Sequence, residues 1–447
     1  MKRRDLLKAG GMAGILAAAQ FPLIKGVLAQ DRYAKYKGQT VVMNIPAHPH
    51  YDAMLKILPE FTAETGIKVE VDKIAIGRMK DKQLLEMAKP QGDYDAVCYI
   101  VMWKGEYVKK NLIECIEPYF QNAARADPNY DINDIVKGYL ENLGLVGGKK
   151  GYLPGPGAKL YGLPYGAETS VLAYRKDIFE KRGFKAPTTY DELQKLLAPL
   201  KAKEGIGALT SRGQAGHQCV HAWLLHMNPL GGEVFDDNWN PVLNKKPGID
   251  ALKLLKEISD TGPAGIPGYG QGEMITAFLQ GQASMYLDAI LIMGQVNDPS
   301  KSKIAGKVGY ALHPKGSRYA AQSGGLGLAL PKNAKNKDAA FLLMQWLTSK
   351  SSDIKVVKQG GNATRMSTLN NPDILKQYPD FEILKEQLKY VEPDWRPLIA
   401  EWDEINIQAL GVAISEALTG KKTPEDALNG MVPKVTDIMK RGGYLKA

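Results

Sequence analysis

Between residues 40 and 101 the apolar pattern switches period more than once, and that switching leaves few folds open. Thr40 to Ile45 reads as a strand, and residues 51–65 read as a helix despite Pro59. Ile67, Val69 and Val71 then alternate with Lys68 and Glu70, the two-residue period of a strand. Asp95-Ala-Val-Cys-Tyr-Ile-Val101 follows as an unbroken apolar run, as expected of a strand covered on both faces. Strand, helix, strand in this order predicts an α/β layer with mainly parallel strands.

The pattern resumes past Gly147 to Gly157, a Gly/Pro/Lys-rich stretch that reads as a surface loop. Ser170 to Tyr174 reads as a strand. Thr189-Tyr-Asp-Glu192 is a capping box before Leu193, Leu196, Leu197 and Leu200. Ala251, Leu254, Leu255 and Ile258 share a second helical face, which Gly262 can close. Ser284 to Leu287, Val308 to Leu312 and Leu326 to Leu330 read as strands, the last leading into a helix over 337–349. Thr423-Pro424 is an N-cap followed by proline at the first helical position.

The first residues carry a different signal. Arg3 and Arg4, then Leu6, Leu7 and Lys8, precede a mild apolar run from Ala9 to Leu23. Val27-Leu28-Ala29 supplies small residues for a cut after Ala29, so residues 1–29 read as an export leader resembling the twin-arginine type. The run is too short and too rich in Gly and Ala for a membrane anchor. Of the 447 residues, 418 remain, enough for two or three domains. The net charge is +10, of which the leader holds +4. The remaining basic residues are scattered rather than blocked, which argues against nucleic acid.

Catalytic signatures are scarce. H-E-x-x-H, G-x-S-x-G and a Walker A loop are all absent, since Gly420-Lys421 is followed by Lys422. The three cysteines, Cys98, Cys115 and Cys219, form no C-x-x-C pair. Cys98 is expected as a core thiol, with a Cys98–Cys115 bridge left open. His217, Cys219, His221 and His226 fall within ten residues, and His217 and His221 would share a helical face as zinc ligands can. His48 and His50 could complete such a site only if the two regions meet.

Several segments, in order, resemble the extracellular solute-binding proteins of sugar-type ABC importers. They are Tyr161-Gly-Leu-Pro-Tyr165 with Tyr174-Arg-Lys-Asp-Ile-Phe179, and Pro187-Thr-Thr-Tyr-Asp-Glu-Leu193. Gly231-Gly-Glu-Val-Phe-Asp236, Phe278-Leu-Gln-Gly-Gln-Ala-Ser-Met285 and Gly324-Gly-Leu-Gly-Leu-Ala-Leu-Pro331 continue the series. Ser211-Arg-Gly213, Phe235-Asp-Asp-Asn-Trp239, Leu287-Asp-Ala289 and Lys307-Val-Gly309 are similar to the mannitol/sorbitol polyol binders. Where that subset tends to carry Gly-Trp-Gly-Glu-Asn, this chain has Gly216-His-Gln-Cys-Val220, so an aromatic and a carboxylate are lost.

The resemblance implies a two-lobe type II periplasmic-binding-protein fold, each lobe a mainly parallel sheet flanked by helices. It places residues 30–167 and 325–357 in an N-lobe, 168–324 and 358–447 in a C-lobe, and crossings near 165–170, 322–325 and 357–363. A ligand would lie between the lobes. A polyol needs planar side chains that bond neighbouring hydroxyls, and an aromatic plate. Asp288 is the expected acceptor, with a helix N-cap as its structural alternative. Arg212 and Arg365 are the expected donors, or else braces between the lobes. Tyr165, Trp103 and Trp402 are the expected plates, His48 and His217 hydroxyl partners, and Gly324 and Gly325 points of close backbone approach.

The expected protein is therefore a periplasmic receptor, monomeric and without cofactor or catalysis, that traps a small polyhydroxylated solute by lobe closure. It would deliver the solute to a membrane permease driven by a separate ATPase. Two alternatives stand beside it. One is the same fold holding an anionic sugar, sulfonated or carboxylated. The other is an exported metalloenzyme using His217, Cys219 and His221.

Overall fold

The computed structural model describes residues 32–446, so the leader and its cut after Ala29 lie outside the described residues. The strands are β1 (Thr40–Pro46), β2 (Lys68–Ile74), β3 (Ala96–Ile100), β4 (Leu145–Val146), β5 (Lys159–Leu160) and β6 (Leu163–Glu168). They continue as β7 (Ser170–Arg175), β8 (Gly207–Thr210), β9 (Ala283–Ala289), β10 (Val308–Ala311) and β11 (Gly324–Ala329). One sheet runs β2-β1-β3-β11-β6 and another β10-β7-β9-β8, with β4 and β5 a small ribbon.

The expectation of mainly parallel strands needs correction. β1 pairs in parallel with β2 and β3, and β8 with β9. β11 runs against both β3 and β6, and β7 runs against β9 and β10. The reason is topological. β6 and β11 carry the chain between the sheets, and a strand that leaves a sheet and one that returns to it run in opposite directions.

Local chemistry explains the individual elements. Helix Pro49–Thr65 starts with proline in its first turn, is capped by His48 accepting from the His50 amide at 3.2 Å, and ends at Gly66 with φ 71°. In helix Tyr190–Glu204 the Thr189 hydroxyl accepts from the Glu192 amide at 3.2 Å. The Glu192 carboxylate reaches one residue beyond the expected capping box, to the Thr188 amide and hydroxyl at 2.7 and 2.8 Å. β1 and β3 are mostly buried, while β2 turns Lys68, Glu70 and Lys73 outward at the sheet edge, which discourages further pairing.

Only Thr169 separates β6 from β7, so the chain steps from one sheet to the other within one residue. The second passage enters β11 through Gln322 and Ser323. Gly325 has φ 95°, and a Cβ there would sit 2.4 Å from the Gly166 carbonyl, so this crossing demands glycine. The third follows helix Lys350–Lys358. The Asn362 amide donates to His50 Nδ1 at 3.0 Å, and the Asn362 side chain to the Ala167 carbonyl at 3.1 Å, tying it to the first. Cys98, Cys115 and Cys219 are all free thiols, and burial pushes Cys98 up in pKa, as suits a core position.

Candidate functional site

β8 and β9 are parallel neighbours, so the residues beyond their ends converge. Arg212, just past β8, donates to both oxygens of Asp288, Nε to Oδ2 at 2.9 Å and Nη2 to Oδ1 at 2.5 Å. Both residues are buried. Burial alone would raise the Asp288 carboxyl, but the Arg212 guanidinium outweighs it and holds the group well below the usual carboxylate range. A forked ion pair of this kind fixes both side chains in one plane.

Helix His217–Met227 lays two imidazoles beside that pair. His221 Nε2 stands 3.5 Å from Asp288 Oδ2 without a hydrogen bond. Burial and the Arg212 charge bring His221 down to about 4, and burial and the Arg396 charge hold His217 well below its usual range, so both are neutral acceptors or donors near pH 7. Trp395 meets His221 edge-on at 5.0 Å, and the Arg396 guanidinium stacks 3.9 Å over the Trp395 ring.

Residues of the first sheet close the other side. Met102, in the turn after β3, brings its Sδ to 3.8 Å from Arg396 Nη1 and 3.9 Å from Asn406 Nδ2. Asn406 lies on a π-helical segment, Glu404–Leu410, and its side chain reaches His217 Nδ1 at 3.0 Å. Such wide turns often re-aim side chains at functional sites. At the end of β6, Glu168 places Oε1 3.6 Å from His48 Nε2. A Cβ on Gly324 would lie 3.6 Å from Arg396 Nη2, so this glycine keeps the backbone open beside the guanidinium.

The polar chemistry of this cluster is incomplete within the protein. Glu168 Oε1, His221 Nε2, Trp395 Nε1 and Arg396 Nε are buried and have no hydrogen-bond partner. Leaving such groups unmatched costs about 1–3 kcal/mol each. Around one aromatic plate they offer an acceptor, two donors and an imidazole nitrogen of either role, a set that suits a small molecule with several hydroxyls.

The expected site residues divide. Arg212, His217, Asp288, Gly324 and His48 come together at this cluster. Arg365 does not. Its Nε donates to the Thr348 carbonyl at 2.6 Å, Nη1 to the Asp131 carbonyl at 2.8 Å and Asp134 at 3.1 Å, and Nη2 to the Tyr130 carbonyl at 2.9 Å. It is a buried brace with its donors taken up by the protein. Tyr165 packs its ring 4.4 Å from His50 and 5.6 Å from Tyr51, in an aromatic knot behind the crossings. Trp103 is buried against Tyr107, while its neighbour Met102 meets Arg396. Gly325 is spent on the close approach to Gly166. Trp402 is fully buried with its indole N–H unmatched, and Trp395 takes the plate position.

The metal alternative fails on direction. Cys219 Sγ lies 3.3 Å from the Gly216 and Gly411 carbonyls, and His226 Nδ1 is 3.1 Å from the Tyr190 hydroxyl. Among the described residues no three His, Cys, Asp or Glu side chains could hold one ion.

Sequence reasoning missed Trp395, Arg396, Glu168, Asn406 and Met102, and placed His221 only in the metal alternative. One signal was readable. Glu392-Pro-Asp-Trp-Arg-Pro397 sets a tryptophan and an arginine between prolines in a loop, where binding residues concentrate.

Residues 47–354 match the family described as bacterial extracellular solute-binding protein. A mannitol-binding protein of Pseudomonas aeruginosa is 29% identical over 342 residues, covering 71% of this chain and 76% of that protein. A probable amino-acid ABC transporter periplasmic-binding protein of Sinorhizobium fredii is 26% identical over 432 residues, covering 94% of each. A solute-binding protein of Agrobacterium radiobacter, solved in complex with ribitol, superposes with a TM-score of 0.81 at 25% identity, over 90% of this chain and 99% of that one.

Proposed function

The chain belongs to the bacterial extracellular solute-binding proteins, and on that premise we propose that it closes two lobes over a small polyhydroxylated solute held at Arg212, His221, Asp288, Trp395 and Arg396. It is the solute-binding component of an ABC importer for sugars or polyols, a binding protein rather than an enzyme, with a type II periplasmic-binding-protein fold. It works outside the cytoplasm and serves a membrane permease. The finer points are our reading: release of the mature chain by a cut after Ala29, and action as a monomer. The lobes are proposed as 30–167 with 325–357 and 168–324 with 358–447. The short run around Thr364 to Ser367 stays against the first lobe through the bonds of Arg365 and Asp134.

The observation that carries this reading is the set of buried, unmatched polar atoms of Glu168 at the end of β6, His221 on helix His217–Met227, and Trp395 and Arg396 in the loop after them. Closure would exclude water from solute hydroxyls while matching each of them, so the closed form gains from the ligand what the open form cannot. The mannitol and ribitol of the relatives fit this chemistry in kind. A thermal-shift screen of polyols, monosaccharides, disaccharides and sugar acids is the direct test. A ligand at about 100-fold over its Kd raises stability by about 2.7 kcal/mol. X-ray scattering with that ligand should show a more compact particle. Solute capture is wrong if no member of such a screen moves the melting temperature.

A further inference from the structure

The charges buried at the site do not pair off. Arg212 is matched by Asp288 through two bonds. Glu168 has His48 3.6 Å away. Arg396 is 5% exposed, yet no carboxylate of the described residues lies within 4 Å of it. Glu168, Asp288 and Asp403 attract it only from farther off, while Arg212 repels it. Its nearest neighbours are the Trp395 face and the Met102 thioether, two groups that accept hydrogen bonds weakly or not at all. Its Nε has no partner.

A guanidinium cannot shed its proton near neutral pH, so burying it without an anion is among the more costly arrangements a protein can hold. The flat fork of Arg396 sits beside the bare backbone of Gly324, where a Cβ would come to 3.6 Å from Nη2, and a fork of this kind matches a planar two-oxygen group. The acceptors that would read hydroxyls stand elsewhere, on Asp288, His221 and Glu168.

Resting on the solute-binding reading above, we propose that the ligand is an acidic sugar or polyol, an aldonate or uronate, whose carboxylate seats on Arg396 while its hydroxyls reach Asp288, His221 and Glu168. Trp395 holds the guanidinium flat from below. The carboxylate gives Arg396 the contact anion that the protein itself does not supply, which a neutral polyol cannot do.

The first test uses the native chain. Calorimetry on the native mature chain would compare matched pairs that differ only in the acid group: gluconate with glucitol, galactonate with galactitol, mannonate with mannitol, ribonate with ribitol, glucuronate with glucose and galacturonate with galactose. We expect at least one acid to bind about 30-fold or more tightly than its neutral partner. Arg396→Gln should erase that preference, with circular dichroism reporting that the variant is folded. A neutral compound that binds as tightly as its acid overturns the acidic ligand and leaves solute capture standing. Binding of α-amino acids with no response from either member of any pair overturns both.

Discussion

Arg365 and Arg396 are thirty-one residues apart and about equally buried, and the molecule treats them in opposite ways. Arg365 spends Nε, Nη1 and Nη2 on three backbone carbonyls and one carboxylate. Arg396 has a tryptophan face, a thioether and an unmatched Nε. The first arrangement ties helix Lys350–Lys358 and the run after it to the segment around Tyr130 to Asp134. The second leaves hydrogen-bonding capacity unused within the protein. Burial therefore says little about the role of an arginine. What separates a brace from a binding group is whether the protein itself satisfies it.

Substituting each arginine breaks the comparison most sharply. Arg365→Met strands three carbonyls and the Asp134 carboxylate, so it should cost about 3–5 kcal/mol in urea unfolding. Arg396→Met removes an unmatched charge from an apolar stack. It should leave stability unchanged or raise it by about 1–2 kcal/mol, while ligand binding falls below detection. If the two variants lost stability equally, Arg396 would be a second brace and the cleft would need another donor.

The histidines sharpen the same contrast, with a smaller effect. His50 accepts from the Asn362 amide, His226 and His313 bond the Tyr190 hydroxyl, and His221 stands at the cleft. Burial, above all, brings His50 and His313 down to about 3 and His221 and His226 to about 4. Each is neutral when folded but gains a proton near pH 6.5 when unfolded. Their contribution is full above pH 6.5 and is lost as pH falls toward 4. Asp353, which burial raises to about 6, acts in reverse and recovers part of the loss between pH 6 and 4. Lowering pH from 7 to 5.5 should therefore cost about 3–4 kcal/mol. Urea midpoints at the two values check it. Saturating ligand should mute the His221 share, because of these four imidazoles only that one touches the cleft.

The sequence carried the framework well because periodicity and caps are local. The α/β order, the helix read over 51–65 and the Thr189 cap all follow from near neighbours in the chain. Arg212 and Asp288 could be set side by side because one lies just past β8 and the other near the end of β9. Between donor and brace, the two readings open for Arg365, the sequence could not choose, because Nη1 and Nη2 end on carbonyls more than two hundred residues earlier in the chain, which no local pattern reveals. Tyr165 was misplaced for a related reason: its strand belongs to a crossing, but its ring turns to His50 and Tyr51 behind it. Trp395 and Arg396 sit in an irregular segment without period, and only folding brings them to His221 and Met102.

A third kind of contact lies between the two arginine extremes and carries the smallest predicted effect. Lys150, in the glycine-rich loop of the first lobe, meets Asp394 at 2.8 Å, and the Tyr152 hydroxyl bonds the same carboxylate. Asp394 immediately precedes Trp395, so the loop holds the aromatic plate from outside the cleft. Lys109 with Glu401 at 2.5 Å and Lys80 with Asp403 form similar links along the same edge. Unlike Arg365, these lysines reach solvent, so water and salt compete for them. Lys150→Met should weaken ligand binding by about three- to fivefold, mainly through faster release, and change global stability by less than about 1 kcal/mol. The difference from the unaltered chain should shrink in 0.5 M salt, about where screening reaches contact distance. Stopped-flow release rates at low and high salt would measure it. A loss that ignored salt would place Lys150 with the buried braces, and a loss above about thirtyfold would make the loop part of the binding site itself.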